Sequence, residues 1–126
     1  DKNYIMARSF EPNFVSTVRA AHLFIGRCGY NTSLEVLSSG TPAIFVPREV
    51  PEREQLERAQ RWTERSLCTL VRERDLDSGV LTQIIKNVLV NGHAFRPFSL
   101  PLTGATRAAQ RVVELARIAL AADRDV

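Results

Sequence analysis

Lysine is almost absent from this chain: two of its 17 basic residues are lysines and the other fifteen are arginines. Arginine suits planar, bidentate binding of phosphate and carboxylate. A bias this strong along the whole chain, however, is more typical of a GC-rich genome than of one anion site. The arginines are spread out and interleaved with glutamates, and no run of aromatic residues accompanies them. We therefore expect no nucleic-acid partner.

Cysteines and long apolar runs are also scarce. Cys28 and Cys68 lack the CxxC spacing of a metal site, and we expect reduced thiols in a reducing, cytoplasmic compartment. No apolar run approaches the roughly 20 residues of a membrane helix, and no signal peptide is visible. The 126 residues are enough for one compact core. Because the chain begins at Asp1 without a methionine, we expect it to be part of a longer protein.

Short apolar runs alternate with helical patterns along the chain. This alternation predicts an α/β fold, a Rossmann-like parallel sheet with helices on both faces, in a single domain over residues 1–126. Strands are predicted at about Tyr4 to Ala7 and in the runs LFIG, PAIFVP and LCTLV. Helices are predicted from Asn13, from Asn31 or Thr32 to Gly40, from Pro51, through Leu81 to Leu89, and from about Ala105 to Ala122. The run GHAFRPFSLPL is predicted to be a loop.

Polar residues crowd the segment between LFIG and PAIFVP. In an open parallel sheet, ligands bind at the carboxyl ends of the strands, and this segment follows such an end. Gly29 would let a ligand approach the backbone. The N–H groups of residues 30–33 would then face outward at the start of a helix, which attracts an anion such as a phosphate. Several such hydrogen bonds would hold a diphosphate without a metal.

The sequence alone allows two interpretations of Glu35. A carboxylate accepts hydrogen bonds only, so it would reach past a phosphate to a pair of ribose hydroxyls. Alternatively, Thr32 and Glu35 have the T-x-x-E spacing of a capping box, in which both residues serve the helix alone.

The run RCGYNTSLEVLSSGTPAIFVPREVPEREQ resembles the nucleotide-sugar donor signature of GT-B glycosyltransferases. Plant-type UDP-glycosyltransferases share the order HCGWNS-x-x-E, then GVP, then a D/E-Q pair. The run is more similar still to the MurG-like group, glycosyltransferase family 28, in its C-terminal domain. The residues in register are Gly29, Asn31, Thr32, Glu35, Gly40, Pro42, Pro47 and Gln55.

The resemblance implies a role for each matching residue. The diphosphate would be held by Gly29, Tyr30, Asn31 and Thr32. Glu35 would bind the ribose hydroxyls, and Glu54 and Gln55 would bind hydroxyls of the transferred sugar. The nucleotide base would lie against Ser9, Phe10 and Glu11. Arg27 would approach a phosphate, and the alternative for it is a salt bridge or a solvated side chain. The alternative for PEREQ is a solvated, charged helix start.

The resemblance also implies the activity of a longer protein. This chain would be the incomplete C-terminal, donor-binding half of a metal-independent, inverting hexosyltransferase, with a UDP-sugar as donor and no cofactor. A helix start and Arg27 would stabilise the leaving diphosphate. The catalytic base that takes the proton from the acceptor, and the acceptor site itself, would come from a missing N-terminal domain. The chain alone would therefore be inactive. His22, next to a buried strand, is expected to be structural; His93 lies in the Gly-Pro loop, and nothing places a carboxylate beside it.

Two other classes of protein stay open. The chain could be a stand-alone nucleotide-sugar-binding subunit that needs a partner chain. It could also be an epimerase-like or regulatory GT-B relative, for which Glu52 and Glu54 would supply carboxylates near the sugar. The resemblance further allows peripheral membrane association of the full-length protein.

Overall fold

The computed structural model of this protein describes residues 5–91 and 103–122. Helices and short strands alternate along them, as predicted. The elements are α1 (Phe14–Ala20), β1 (Phe24–Gly26), α2 (Tyr30–Ser39), β2 (Ala43–Phe45), α3 (Glu54–Glu64), β3 (Thr69–Leu70), a 3₁₀ turn (Glu73–Asp75), α4 (Ser78–Asn91) and α5 (Gly104–Ala122). The loop predicted in GHAFRPFSLPL, including His93, lies outside the described residues.

The three strands form one parallel sheet in the order β1-β2-β3. Ile44 of β2 pairs with Ile25 of β1 and with Thr69 of β3, which fixes the register on both sides. All three residues of β2 are buried, because a central strand of a parallel sheet is covered on both faces. This confirms the predicted α/β fold with a parallel sheet.

Apolar clusters cover both faces of the sheet. On one face, residues of α1, α2 and α3 pack against β2 in a cluster that includes Val18, Val36, Phe45 and Ala59. On the other face, Val88 of α4 packs with residues that include Ile44, Val46 and Val71. Helices therefore lie on both faces, as predicted.

The strand predicted at Tyr4 to Ala7 was wrong for the part that is described. Residues 5–7 have no regular structure and Ile5 is exposed. An apolar run becomes a strand only where a neighbour pairs with it, and β1 pairs with β2 alone among the described strands. For the same reason β1 is not buried on both faces, as LFIG had suggested: Ile25 is 42% exposed.

Two helix predictions need correction. Pro51 is not the first residue of α3, which begins at Glu54; the N–H of Glu57 donates the first helical bond to the Arg53 carbonyl at 3.0 Å. The helix α5 forms as predicted, but its apolar side is not buried. Val112 and Leu115, which the pattern placed on an inner side, are exposed, since no described element covers them.

Both cysteines are buried and free, in agreement with the predicted thiols. Burial raises the pKa of Cys28 to about 11, and it also raises the pKa of Cys68. Both groups therefore stay protonated at neutral pH, and neither is a thiolate nucleophile.

Ion pairs connect the loops at the carboxyl edge of the sheet. Arg72, just after β3, donates from Nε to both oxygens of Glu49 at 3.0 and 3.1 Å and pairs with it again through Nη2. Glu49 lies beyond the end of β2, so this contact joins two neighbouring loops. The hydrogen bond from Arg72 is the main reason why the pKa of Glu49 lies below its ordinary value of 4.5.

Glu49→Gln should lower the free energy of unfolding at pH 7, because an amide cannot accept the charge-assisted bonds of Arg72. Since the folded-state pKa of Glu49 is depressed, its contribution is present above the unfolded-state pKa and is lost as pH falls through the folded-state value. The difference between wild type and variant in urea unfolding should therefore shrink between about pH 5 and pH 3.

Glu114→Gln is the matched control, because Glu114 pairs with Arg111 on exposed α5. It should have a smaller effect at pH 7, as exposed pairs contribute little. A Glu49→Gln deficit that stayed constant down to pH 3 would contradict the assignment to the ionised carboxylate.

Candidate functional site

The start of α2 lies at the carboxyl edge of the sheet, directly after the loop of residues 27–29. Gly29 is the N-cap residue, with extended backbone angles, and the Ser33 N–H donates to its carbonyl at 2.9 Å. The N–H groups of Tyr30, Asn31 and Thr32 precede this first helical bond, so the helix supplies no acceptor for them. No side chain caps α2, and its first turn contains no acidic residue. This is an arrangement that favours an anion.

The predicted cap of this helix was wrong. Asn31 and Thr32 are the second and third residues of α2 rather than its N-cap, because the chain already turns into the helix at Gly29. Thr32 and Glu35 therefore cannot form the T-x-x-E capping box, whose threonine must be the N-cap residue. The side chain of Glu35 is exposed, and it makes no hydrogen bond or ion pair to any other residue in the described ranges 5–91 and 103–122.

The fold does not require a glycine at position 29. Its φ of −62° is one that any residue adopts. A Cβ built there would meet only the Thr32 hydroxyl oxygen, at 3.8 Å, which is an ordinary van der Waals contact. The missing side chain therefore leaves open the space beside the helix start, and neither packing nor backbone strain explains it.

Four of the predicted binding residues line two separate depressions near the start of α2. Asn31 and Glu35 line a depression of about 280 Å³, together with Val15 and Arg19 of α1. Tyr30 and Glu54 line a larger cleft of about 460 Å³ beside α3. The structure thus brings Tyr30 and Glu54 together, and it places Glu35 in the neighbouring depression.

Arg27 and Gln55 both form hydrogen bonds with backbone groups of the segment after β2. Arg27 donates to the Val46 carbonyl at 3.1 Å and forms an ion pair with Glu73, so the salt bridge that was the alternative reading is present. The side-chain oxygen of Gln55 accepts the N–H of Arg48 at 3.2 Å.

The segment expected to face the nucleotide base precedes α1. Phe10 is 78% exposed, and Ser9 is exposed as well. Glu11 accepts the N–H of Asn13 at 3.0 Å, which is the main reason why the pKa of Glu11 is lowered, and it also pairs with Arg8. Glu11 therefore serves the turn into α1, whereas the exposed ring of Phe10 is free to stack.

His22 lies before β1, at the amino edge of the sheet, opposite the start of α2. Contrary to the expectation of a structural histidine beside a buried strand, it is exposed. It belongs neither to the core nor to the candidate site.

The family model of the glycosyltransferase family 28 C-terminal domain matches residues 1–112. The chain belongs to this family. The resemblance that the donor signature suggested is therefore confirmed, as is the α/β fold.

Curated relatives carry the name UDP-N-acetylglucosamine–N-acetylmuramyl-(pentapeptide) pyrophosphoryl-undecaprenol N-acetylglucosamine transferase. The protein of Lactococcus lactis subsp. lactis (strain IL1403) is 27% identical over 113 residues, which are 87% of this chain and 32% of the relative. That of Histophilus somni (strain 129Pt) is 34% identical over 68 residues, 54% of this chain and 19% of the relative. The chain thus spans about a third of the length of the first of these relatives.

One acidic pattern in this family 28 domain was overlooked in the expectation of a metal-free site. Asp75 and Asp77 have the Asp-x-Asp spacing that can hold a metal ion. In the structure, Asp77 accepts the N–H of Gly79 at 2.8 Å and so caps α4, while Asp75 pairs with Arg74. No group of three or more potential metal ligands occurs among the described residues; Asp123 and Asp125, which repeat the spacing, lie outside them.

Arg58 was missed by the sequence-based reasoning. It lines the same cleft as Tyr30 and Glu54 and touches both. The pairing with Glu54 could have been found from the sequence, because a glutamate four residues before an arginine on a helix is a favourable pair. The contact with the loop before α2 could not, because it joins residues far apart in the chain.

Gly29→Ser tests whether the open helix start is a binding site. The serine hydroxyl would cap α2 and raise the free energy of unfolding by roughly 0.3 kcal/mol. It would also occupy one of the N–H groups that a diphosphate needs, and we expect UDP affinity to fall by about tenfold. Titration calorimetry and urea unfolding measure the two effects.

Gly104→Ser is the matched control, because a Cβ at Gly104 meets nothing within 4 Å and α5 lies outside the site. It should change neither quantity much. A Gly29→Ser protein that is stabilised yet binds UDP as wild type does would show that the helix start is only a scaffold.

Proposed function

We propose that this chain is the donor-binding half of a metal-independent, inverting glycosyltransferase that takes a UDP-sugar. The observation that carries the proposal is the start of α2. No side chain caps its backbone N–H groups, and its first turn contains no acidic residue. The family supports it, and so do the relatives, whose name specifies UDP-N-acetylglucosamine. The proposal also includes a single domain over residues 1–126 and a cytoplasmic location of the protein. No helix among the described residues could cross a membrane.

In this proposal the diphosphate binds the N–H groups at the start of α2. The helix dipole favours the anion by about 0.3–1 kcal/mol, and each charge-assisted hydrogen bond contributes roughly 1.5–3 kcal/mol. As the sugar–phosphate bond breaks, the leaving diphosphate gains negative charge. Preorganised donors at that position then stabilise the transition state more than the ground state. Arg27 would add its charge only in part, because Glu73 already pairs with it.

Four further side chains are assigned to the remaining substrate groups. Glu35 has no capping role and accepts from the ribose hydroxyls. Glu54 and Gln55 bind hydroxyls of the sugar, with Glu54 in the cleft beside Tyr30. Phe10 lies against the base. No catalytic residue is assigned within the chain, since the acceptor and its base come from the part of the protein that this chain does not span.

The name of the relatives includes a pyrophosphoryl-undecaprenol acceptor. Undecaprenol is a long hydrocarbon alcohol, so an acceptor of that kind would bring the full-length protein to a membrane surface. Peripheral membrane association of the full-length protein is therefore part of the proposal.

Glu35→Ala should weaken UDP binding by about 2 kcal/mol, roughly thirtyfold, through the loss of charged hydrogen bonds. The free energy of unfolding should stay near the wild-type value, because Glu35 does not cap α2.

Gln55→Ala should leave the affinity for UDP unchanged and lower only the affinity for the UDP-sugar. Calorimetry of the full-length protein with both ligands separates the two roles.

Glu64→Ala is the control for Glu35, because Glu64 is an exposed carboxylate at the far end of α3. It should bind both ligands normally. Unchanged UDP affinity in Glu35→Ala would remove Glu35 from the site, and equal losses of both ligands in Gln55→Ala would refute the sugar assignment.

Chelation tests the metal-free site. Sugar transfer by the full-length protein should continue in excess EDTA, because helix N–H groups rather than a cation stabilise the leaving diphosphate. A transfer rate that falls to background and returns with Mg²⁺ or Mn²⁺ would overturn this part of the proposal. In that case Asp75 and Asp77 would be the first ligands to test.

A further inference from the structure

The guanidinium of Arg58 joins three groups of the candidate site. Its side chain is only 13% exposed, which is unusual for arginine. Nη1 donates to the Cys28 carbonyl at 2.8 Å, Nη2 pairs with Glu54, and Cζ lies 5.4 Å from the centre of the Tyr30 ring. Only a planar group with several fixed donors can make these contacts at once.

Two of these contacts hold the loop that leads into α2. The Cys28 carbonyl lies thirty residues from Arg58 in the chain and immediately precedes Gly29. Cys28 itself is fully buried, so its carbonyl needs a partner within the protein. The Tyr30 ring, on the first residue of α2, lies under the same guanidinium. Arg58 therefore fixes both sides of Gly29, the N-cap residue.

The third contact sets the position of Glu54. Its carboxylate is 72% exposed and would otherwise move freely. Arg58 holds Oε1, whereas Oε2 makes no hydrogen bond to any residue that the structure describes. One oxygen is thus anchored, and the other keeps its capacity to accept a hydrogen bond from a sugar hydroxyl in the cleft that Glu54 lines.

We propose that Arg58 is a positioning residue that couples the diphosphate-binding start of α2 to the sugar-binding carboxylate of Glu54. This inference rests on the proposed function for the identity of the two ligand groups. Arg58 itself touches neither group of the donor. Through Cys28 and Tyr30 it sets the direction of the N–H groups, and through Glu54 it sets the distance from them to the sugar.

The first test needs no ligand. Hydrogen exchange of the Ser33 amide reports opening of the first turn of α2, because that amide makes the first helical bond. Arg58→Lys keeps the charge but loses the fork, and Ser33 exchange should accelerate by about tenfold. The Val46 amide, bonded to Gly26 in the sheet, reports global opening and should change much less.

Three variants make this test specific. Arg72→Lys alters another half-buried arginine at the same edge and should leave Ser33 exchange unchanged. Glu54→Gln should also leave it nearly unchanged, since Arg58 keeps its bond to Cys28. Tyr30→Leu removes only the ring contact and should accelerate Ser33 exchange to a smaller extent, which keeps the test decisive where Arg58→Lys destabilises the whole chain.

The second test measures UDP and UDP-sugar binding to the full-length protein. Arg58→Lys should lower affinity for both ligands, by about tenfold for UDP and more for the UDP-sugar, whereas Glu54→Gln should lower only the latter. Wild-type exchange at Ser33 in Arg58→Lys, or unchanged binding of both ligands, would overturn the positioning role. Failure of the wild type to bind UDP would instead overturn the proposed function, with the exchange result still deciding the role of Arg58.

Discussion

Burial of the central strand is the constraint on which the rest of this structure depends. Ala43, Ile44 and Phe45 are fully buried, and alternate side chains of β2 enter the clusters on opposite faces of the sheet. Burying a large apolar side chain contributes about 1.5–3 kcal/mol, and a slip of one residue would exchange the two faces. The register of β1 and β3 follows from β2, and with it the places where their loops leave the sheet.

Because the strands are parallel, those loops leave at one edge, and charged residues organise it. Arg27 reaches the Val46 carbonyl and Glu73, and Arg72 reaches Glu49. Arg27 thus joins segments that follow all three strands, and Arg72 joins segments that follow β2 and β3. The loop before α2 is held in the same way, by Arg58 from α3. Against this background of paired charges, the start of α2 has neither a capping side chain nor an acidic residue in its first turn.

The main elements could be predicted from the sequence where local pattern and burial agree. PAIFVP and the helix after it in the chain are examples: a short apolar run between prolines favours a buried strand, and a narrow apolar stripe at helical spacing favours a helix. The start of α2 was misplaced for a physical reason. Cap preferences favour Asn31 and Thr32, whereas an extended glycine ahead of them can begin the helix by its backbone alone.

The other failures concern partners distant in the chain. Residues 5–7 have the composition of a strand, but composition does not supply a neighbour to pair with. α5 has an apolar side, but the sequence does not say what covers it. The bond from Arg58 to the Cys28 carbonyl joins a side chain to a backbone atom thirty residues away, and no spacing rule reports such a contact.

The residues of the donor signature divide according to whether the fold needs them. Gly40 is needed, since it ends α2 in the left-handed conformation with a φ of 75°. Gly29 is not, because its backbone angles and surroundings would accept a side chain. Glu35 is not, because the helix begins too early for it to cap. A glycine that keeps space open and a carboxylate without a structural partner lie within two turns of each other on α2. The proposed donor accounts for both features, because its diphosphate would use the space at Gly29 and its ribose hydroxyls would give Glu35 a partner.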